Sequence, residues 1–127
     1  MVRVGLGLYG YGAPNLLTAK TVTAKVVANR VVDKGDLVGY DGIFAPTKRT
    51  CLAVINKGYA DGFARSMVGS IVKINNCPAQ VVAVCMGMTI CVTPQLEPTG
   101  STAVLLGEGI NPSNEQTIVY ELLCYLR

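Results

Sequence analysis

Turn-forming residues recur roughly every ten positions in this chain, and the apolar runs between them are too short and too alternating for helices. These runs are rich in β-branched residues, as expected for strands that bury one face. The sequence predicts strands at 21–32, 37–42, 50–56, 70–74, 80–93 and 102–107. Many short strands at this spacing indicate an all-β domain, either a small barrel or a sandwich.

Two segments leave alternatives open. The run 80–93 has the length of one long strand or of two kinked strands, with Gly87 at the bend or bulge. The closing stretch 117–126 contains VYELLCYL, which fits a helix or a strand. No amphipathic helix is indicated in the rest of the chain. The all-β prediction therefore holds whichever alternative is correct for these two segments.

Length and low charge content bound the domain organisation. A chain of 127 residues is enough for one domain and too short for two ordinary ones, so we expect a single domain over 1–127. Hydrophobic residues make up 50% of the sequence and charged residues 15%, against about a quarter charged in average proteins. Either a partner domain or subunit covers apolar surface, or this is a compact β-domain with few surface charges.

Charge and hydropathy argue against two classes of partner. The net charge is +3 and the Lys and Arg residues are scattered singly, so there is no basic stripe for nucleic acid. The apolar stretches are strand-sized, too short for a transmembrane helix. The amino terminus MVRVGLGLYGYG lacks the apolar core and the cleavage site of a signal peptide, so we expect a cytoplasmic location.

Histidine and cysteine usage limits the chemistry. The sequence has no His, and its five Cys form no CxxC pair, which argues against a zinc site and against Ser–His or Cys–His catalysis. Most of the cysteines lie among Val, Ile and Leu, so we expect buried, reduced thiols and no bound metal. Acid–base chemistry would then fall to Tyr, Lys, Asp, Glu or Cys.

Five short motifs carry a more specific signal. They are MVRVGLGLYGY at 1–11, GDLVGY at 35–40, GYADGFAR at 58–65, CMGM at 85–88 and VYELLC at 119–124. Together they resemble landmarks of alanine racemases in family order, and GYADG with the following arginine is the most specific of them. The resemblance covers essentially the whole chain and is to the carboxy-terminal β-domain of that family. Residues 1–10 resemble the last strand of the barrel that precedes this domain.

The resemblance implies a fold-type III enzyme that uses pyridoxal phosphate. Such an enzyme consists of a cofactor-binding barrel followed by a mostly antiparallel, Greek-key-like small β-barrel domain, and it works as a head-to-tail homodimer. It interconverts L- and D-alanine, which supplies D-alanine for bacterial peptidoglycan. The implied partners of this chain are therefore the barrel domain of the same protein and a second subunit. Because the cofactor takes up the carbanion charge, the protein mainly has to position acid–base groups.

Tyr59 in GYADG matches the tyrosine that the family uses as an acid–base group in the active site of the other subunit. A tyrosine is a weak base at its free pKa of about 10, so cationic or hydrogen-bonding neighbours from the partner barrel would have to assist it. The alternative is a tyrosine that only packs in a glycine-flanked turn. Asp61 and Gly62 in the matching pattern favour the inherited catalytic position.

Four further positions match binding residues of the family. Arg3 matches the arginine that donates a hydrogen bond to the pyridine nitrogen of the cofactor. Gly5 and Leu6 match positions whose backbone N–H groups hold the cofactor phosphate. Met86 matches a residue whose backbone contacts the substrate carboxylate from across the dimer. The alternative for Met86 is filling of the core.

Several positions depart from the family pattern. The lysine segment V-x-K-A-x-A-Y-G-H-G, to which the cofactor is attached, has no counterpart here. Gly87 stands where the family has an aspartate, and Val82 and Ala83 stand where it has Gly-Arg. The stretch 109–117 is shorter than usual, and the chain stops just before the family's R-V-P-R segment. We therefore expect this chain alone to hold no cofactor and to be inactive.

The motifs leave the origin and the role of the chain open. It is an excised domain, a truncated or decaying racemase, or a stand-alone domain with another use. The main alternative function is a non-catalytic β-domain for dimerisation or protein binding. The corresponding domain of a serine racemase is a further alternative, because the side-chain pocket that separates the two substrates lies largely in the barrel.

Overall fold

Six strands close into a barrel in the computed structural model, which describes residues 1, 3, 5–12, 14–110 and 118–127. The strands are β1 (Val22–Val32), β2 (Thr50–Ile55), β3 (Ile71–Ile74), β4 (Cys77–Val84), β5 (Thr89–Thr93) and β6 (Thr102–Leu106). Helix α1 (Val119–Tyr125) follows the barrel. Short 3-10 helices lie at Gly5–Tyr9, Tyr40–Gly42, Tyr59–Asp61 and Arg65–Met67.

The barrel has the strand order β1-β2-β5-β4-β3-β6, and every neighbouring pair is antiparallel. The long strand β1 closes it, because its first half pairs with β6 and its second half with β2. The β1–β2 register shifts between Val26 and Ala28, a bulge that bends the strand from one partner to the other. The prediction of a mostly antiparallel small barrel is thus confirmed, and the sandwich alternative is excluded.

Alternating side chains of the strands fill the barrel interior. In β1 the inward residues Val22, Ala24 and Val26 are buried, whereas the residues between them are exposed. Phe63 and Met67, from the connection between β2 and β3, are completely buried in the same core. Burial of this apolar interior is the main force that holds the barrel together.

A second, smaller apolar cluster lies on the outer face of the barrel. Val32, Leu52 and Val82 project outward from their strands and pack with Val38 from the β1–β2 connection. This connection therefore covers part of the sheet, so that several strands are apolar on both faces. The high hydrophobic fraction of the sequence is accounted for in part by this second layer.

The strand predicted at 37–42 is wrong. Val38 forms only an isolated antiparallel bridge with Phe44, and Tyr40–Gly42 is a 3-10 helix. Gly39, Asp41 and Gly42 have φ values of 80°, 55° and 63°, a backbone conformation that strands do not adopt. The alternating pattern LVGY is therefore interrupted by the left-handed backbone at these positions.

The two segments with open alternatives are resolved by the structure. The run 80–93 contains two strands, β4 and β5, which pair as an antiparallel hairpin around the turn at 85–88. The register shift in this hairpin lies between Val81 and Ala83 rather than at Gly87. The closing stretch is helical from Val119 to Tyr125, and Thr117 lies outside the described residues.

A buried carboxyl group lies in the connection between β5 and β6. Glu97 is 1% exposed; its Oε2 atom accepts a hydrogen bond from Nδ2 of Asn75 at 2.8 Å, and no described residue donates to its Oε1 atom. Asn29 donates to the backbone carbonyl oxygen of Glu97 at 2.9 Å, and Asn75 also donates to Oγ of Ser101 at 2.9 Å. These bonds tie the β5–β6 connection to β1 and to the β3–β4 turn.

The cysteines are free thiols, but only one of the five is buried. Cys91 faces the core, and burial raises the pKa of its thiol to about 12. Cys51, Cys77 and Cys85 are partly buried and Cys124 is exposed on α1, so the prediction of buried thiols is wrong for these four.

Residues 5–9, part of the segment that resembles a barrel strand, form the 3-10 helix Gly5–Tyr9 in this chain. The strand expected there from the resemblance stays a prediction for a longer protein. Within the described part of the chain, no helix has both the length and the apolar character needed to span a membrane.

Candidate active site

The GYADG motif forms the 3-10 helix Tyr59–Asp61 between two glycines that make close backbone contacts. A Cβ atom on Gly58 would collide with the carbonyl oxygens of Cys85 and Met86. Gly62 has a φ of 88°, and a Cβ atom there would collide with the carbonyl group of Tyr125. Only glycine permits such close contact between backbone segments. The two glycines therefore let the Tyr59 turn pack directly against the β4–β5 turn on one side and against α1 on the other.

Asp61 holds the turn closed. Its Oδ2 atom accepts a hydrogen bond from the backbone N–H of Gly58 at 3.0 Å. Its carbonyl oxygen accepts a hydrogen bond from the backbone N–H of Arg127 at 3.0 Å, which fixes the segment after α1. The aspartate of the motif therefore stabilises the conformation in which Tyr59 is presented.

The structure brings Tyr59 and Met86 together. The backbone N–H of Tyr59 donates to the carbonyl oxygen of Cys85 at 3.0 Å, and that of Ala60 donates to the carbonyl oxygen of Met86 at 2.9 Å. No described residue accepts a hydrogen bond from the Met86 N–H, so this donor is available to a ligand. The side chains of Tyr59 and Met86 are 41% and 58% exposed, so neither is a core residue.

The departures from the family pattern occupy different environments. Val82 and Ala83 are buried, and Val82 belongs to the outer apolar cluster. A Cβ atom added to Gly39 would lie 2.7 Å from the Cβ of Ala83, so a long side chain at position 83 would displace the β1–β2 connection. Gly87 is in the exposed turn at 85–88, and a Cβ atom there would meet nothing within 4 Å. The structure thus accounts for Val82 and Ala83 by packing and imposes no glycine at position 87.

The positions that resemble cofactor ligands do not form a pocket with Tyr59 in this chain. Arg3 is exposed, and Gly5 and Leu6 begin the short helix Gly5–Tyr9. Gly5 has a φ of 58°, a conformation that favours glycine, and a Cβ atom there would lie 2.8 Å from the phenol oxygen of the exposed Tyr120 side chain. As arranged here, these residues do not fit pyridoxal phosphate by themselves.

Three of the lysines are engaged in structural contacts. Lys20 Nζ donates to the carbonyl oxygens of Leu123 and Leu126, each at 2.8 Å, and so caps the carboxy-terminal end of α1. Lys25 donates to Oγ1 of Thr102 and Lys73 to the carbonyl oxygen of Glu108. None of these contacts places an amine beside Tyr59. Among the described residues, no group of three or more His, Cys, Asp or Glu side chains is placed to hold a metal ion.

A cleft of about 450 Å³ lies beside Tyr59 and was not anticipated from the sequence. One side is formed by the GYADGFAR segment, with Tyr59 and Arg65, and the other side by α1, with Glu121 and Tyr125. Leu122 is buried at its base. In the sequence GYADGFAR and VYELLC are separate motifs, and nothing local to either indicates that their side chains share a cleft.

Comparison with known proteins gives a consistent result. A family model described as "Alanine racemase, C-terminal domain" matches residues 19–127. The alanine racemase of Staphylococcus saprophyticus is 30% identical over 98% of this chain, which spans 37% of that protein's length. The structure of alanine racemase from Acinetobacter baumannii superimposes with a TM-score of 0.82 at 29% identity, over 97% of this chain and 39% of the other. Alanine racemase from Bartonella henselae, solved with covalently bound pyridoxal phosphate, gives a TM-score of 0.73 at 29% identity, over 81% of this chain and 32% of the other.

Proposed function

Because this chain belongs to the alanine racemase carboxy-terminal domain family, we propose that it supplies one half of the active site of a pyridoxal-phosphate-dependent alanine racemase. In this proposal Tyr59 is the acid–base group, and Met86 contacts the substrate through its backbone. The barrel domain of the same protein provides the rest of the site, and Tyr59 reaches the active site of a second subunit in a homodimer.

The observation that carries this proposal is the joint presentation of Tyr59 and Met86. Two backbone hydrogen bonds connect the Tyr59 turn to the β4–β5 turn, so the two residues keep a fixed relation. The phenol of Tyr59 and the N–H of Met86 are both free to meet a ligand from outside the domain. A tyrosine that only packed in its turn would gain more by burying its ring.

Tyr59 would carry a proton on its phenol oxygen. A phenol can release its proton to a carbanion, and the phenolate can remove one from an α-carbon when the two atoms are within hydrogen-bonding distance. Asp61, Gly58 and Gly62 hold the backbone of Tyr59, which limits the conformational entropy lost when the ring is aligned with substrate. The Met86 N–H would orient a carboxylate beside it.

In this proposal the barrel domain binds the pyridoxal phosphate cofactor. The residues of this chain do not fit pyridoxal phosphate alone, and the chain spans about a third of the racemases that it matches. When bound, the cofactor supplies an electron sink for the carbanion. Arg3, Gly5 and Leu6 would contribute to its site only after they join the barrel. We therefore expect the isolated chain to be inactive.

The test is a chimera in which this chain replaces the corresponding domain of the Staphylococcus saprophyticus racemase. We expect the chimera to bind pyridoxal phosphate and to convert L-alanine to D-alanine, and the isolated chain to do neither. Tyr59→Phe should lower kcat by about 10²–10⁴-fold, the contribution typical of one general acid–base group. Tyr40→Phe removes a phenol of similar exposure outside the Tyr59 turn and should leave kcat unchanged.

Two results would count against the proposal. If the folded, cofactor-loaded chimera keeps full activity with Tyr59→Phe, then Tyr59 is not the acid–base group. If the chimera folds, dimerises and binds cofactor but shows no turnover with alanine, a non-catalytic role in dimerisation becomes the better interpretation. Turnover of L-serine in preference to L-alanine would assign the chain to a serine racemase.

A further inference from the structure

The cleft beside Tyr59 carries one positive and one negative side chain. Arg65 lies on the side formed by the GYADGFAR segment, and Glu121 lies on the side formed by α1. No ion pair joins them, and neither side chain has a hydrogen-bond partner among the described residues. Two opposite charges thus face one cleft without neutralising each other.

The backbone on both sides of this cleft is held in place. Arg65 lies between Phe63 and Met67, which are both completely buried. Glu121 precedes Leu122, which is 1% exposed. Since both charged side chains start from anchored backbone, the separation between their attachment points is fixed.

The two sides of the cleft are also joined directly. Lys20 caps the end of α1 through two hydrogen bonds, and the N–H of Arg127 donates to Asp61 in the Tyr59 turn. Gly62 packs against the carbonyl group of Tyr125 at the junction. The cleft is therefore a built feature of the fold and is present before any ligand binds, which lowers the entropy cost of binding.

We propose that this cleft binds a free amino acid as its zwitterion, with Arg65 facing the carboxylate and Glu121 facing the ammonium group. A ligand that carries both charges can satisfy both side chains at once, whereas an anion or a cation would satisfy only one. The volume of about 450 Å³ lies at the lower end of the range for small-molecule sites. Tyr59 and Tyr125 provide phenols that can donate to the carboxylate.

This inference deepens the proposed function and rests on it for its biological meaning. The cleft lies next to Tyr59, so an amino acid held there would be concentrated at the entrance to the reaction site. Its place is distinct from the Met86 N–H, which lies on the β4–β5 side of the Tyr59 turn. The cleft would thus serve as a loading site for substrate or a holding site for product.

The test is a titration of the isolated chain with glycine, followed through the backbone amide NMR signals of Gly62 and Leu122. Glycine should cause saturable shifts with a Kd on the order of 1–10 mM, the range expected when each of its two charges forms one charge-assisted hydrogen bond. Acetate and methylammonium, which carry one charge each, should bind at least about tenfold more weakly. Equal shifts with acetate and glycine, or no saturable shift with glycine, would overturn the proposal.

Variants at the two charged positions test whether Arg65 and Glu121 bind the glycine. Arg65→Gln and Glu121→Gln should each weaken glycine binding by about tenfold or more, and the charge-reversed double variant R65E/E121R should bind glycine in the opposite orientation. Arg49→Gln and Glu108→Gln change charges outside the cleft and should leave the titration unchanged. Unaltered binding in Arg65→Gln would refute the assignment.

The two proposals can fail separately. Glycine binding uses the isolated chain without cofactor, whereas racemisation uses the chimera. An active chimera whose isolated β-domain binds no glycine would refute the loading site and leave the racemase proposal standing. Specific glycine binding together with a loaded but inactive chimera would refute the racemase proposal and leave the cleft assignment standing.

Discussion

Replacing Asn75 with glycine tests whether the buried carboxyl of Glu97 depends on a single donor. The two residues of the β3–β4 turn, Asn75 and Asn76, have φ values of 48° and 64°, so glycine fits the backbone at either position. Asn75→Gly removes the donor to Oε2 of Glu97 and the bond to Ser101. Asn76→Gly makes the same chemical change one residue away without touching Glu97.

The expected loss of stability in Asn75→Gly comes from the missing hydrogen bond to the buried Glu97 carboxyl group. Removing one partner of a hydrogen bond so that a buried acceptor is left unsatisfied costs about 1–3 kcal/mol. Since no described residue donates to Oε1, the carboxyl would have no side-chain donor at all. The relief of left-handed strain by glycine returns a few tenths of a kcal/mol. We expect Asn75→Gly to lower the free energy of unfolding by about 2 kcal/mol and Asn76→Gly to change it by less than about 0.5 kcal/mol.

The assay is urea unfolding of both variants and the parent chain, followed by circular dichroism. The slope of the unfolding free energy against urea should stay the same, so that midpoints can be compared directly. In a thermal scan Asn75→Gly should lower Tm by roughly 5–15 °C.

Equal losses in the two variants would refute this reasoning, because the turn and not the carboxyl would then be the cause. The double variant Asn75→Gly/Glu97→Ala gives a second check. If Asn75 acts through Glu97, the two substitutions should be coupled by about 1 kcal/mol or more. Strict additivity would show that the hydrogen bond between them has no energetic role.

Three further predictions follow from local geometry. Gly58→Ala should destabilise the chain by about 1–3 kcal/mol, because the added Cβ would collide with backbone carbonyl oxygens. Gly87→Ala, where a Cβ meets nothing, should be neutral or slightly stabilising. The midpoints of urea unfolding compare the two variants. Lys20→Met should speed amide exchange throughout α1 because two carbonyl caps are lost, and Lys34→Met, an exposed control, should not. Because burial raises the pKa of Cys91 from 9.0 to about 12, the neutral thiol stabilises the fold fully below pH 9, and this contribution is lost as pH rises toward 12. Urea unfolding at a series of pH values should therefore show a smaller alkaline loss in Cys91→Ala.

The strands were predictable where local pattern and tertiary packing agree. β1 and β3 alternate between buried and more exposed side chains, and the predicted bounds of β1, β2, β3 and β6 match the structure within a residue or so. The pattern failed at 37–42, where the alternation is real but Gly39 and Gly42 adopt positive φ values. Periodicity reports which side chains are apolar and carries no information on the backbone angle at a glycine. Barrel closure was also beyond the pattern, because it depends on pairs such as Val22 with Leu106 that are far apart in sequence.

The candidate site was predictable only in part and only through the family motifs. They indicated Tyr59 and Met86, and the structure shows that the two turns are hydrogen bonded to each other. The cleft with Arg65 and Glu121 was not predictable, because it forms where two segments that are distant in sequence meet. The roles of Arg3, Gly5 and Leu6 remain predictions, since their partners would lie in another domain.

The cap that Lys20 places on α1 also determines where the polypeptide enters and leaves the barrel. Lys20 stands two residues before β1, and its amine lies 2.8 Å from the carbonyl oxygen of Leu126. The segment that leads into β1 and the end of α1 therefore meet at one point on the surface of the β-barrel domain. A unit with this property can be inserted into a surface loop of another protein without stretching the host chain. It can also be circularly permuted by a short linker across the same point, with new ends opened in an exposed turn such as 33–36.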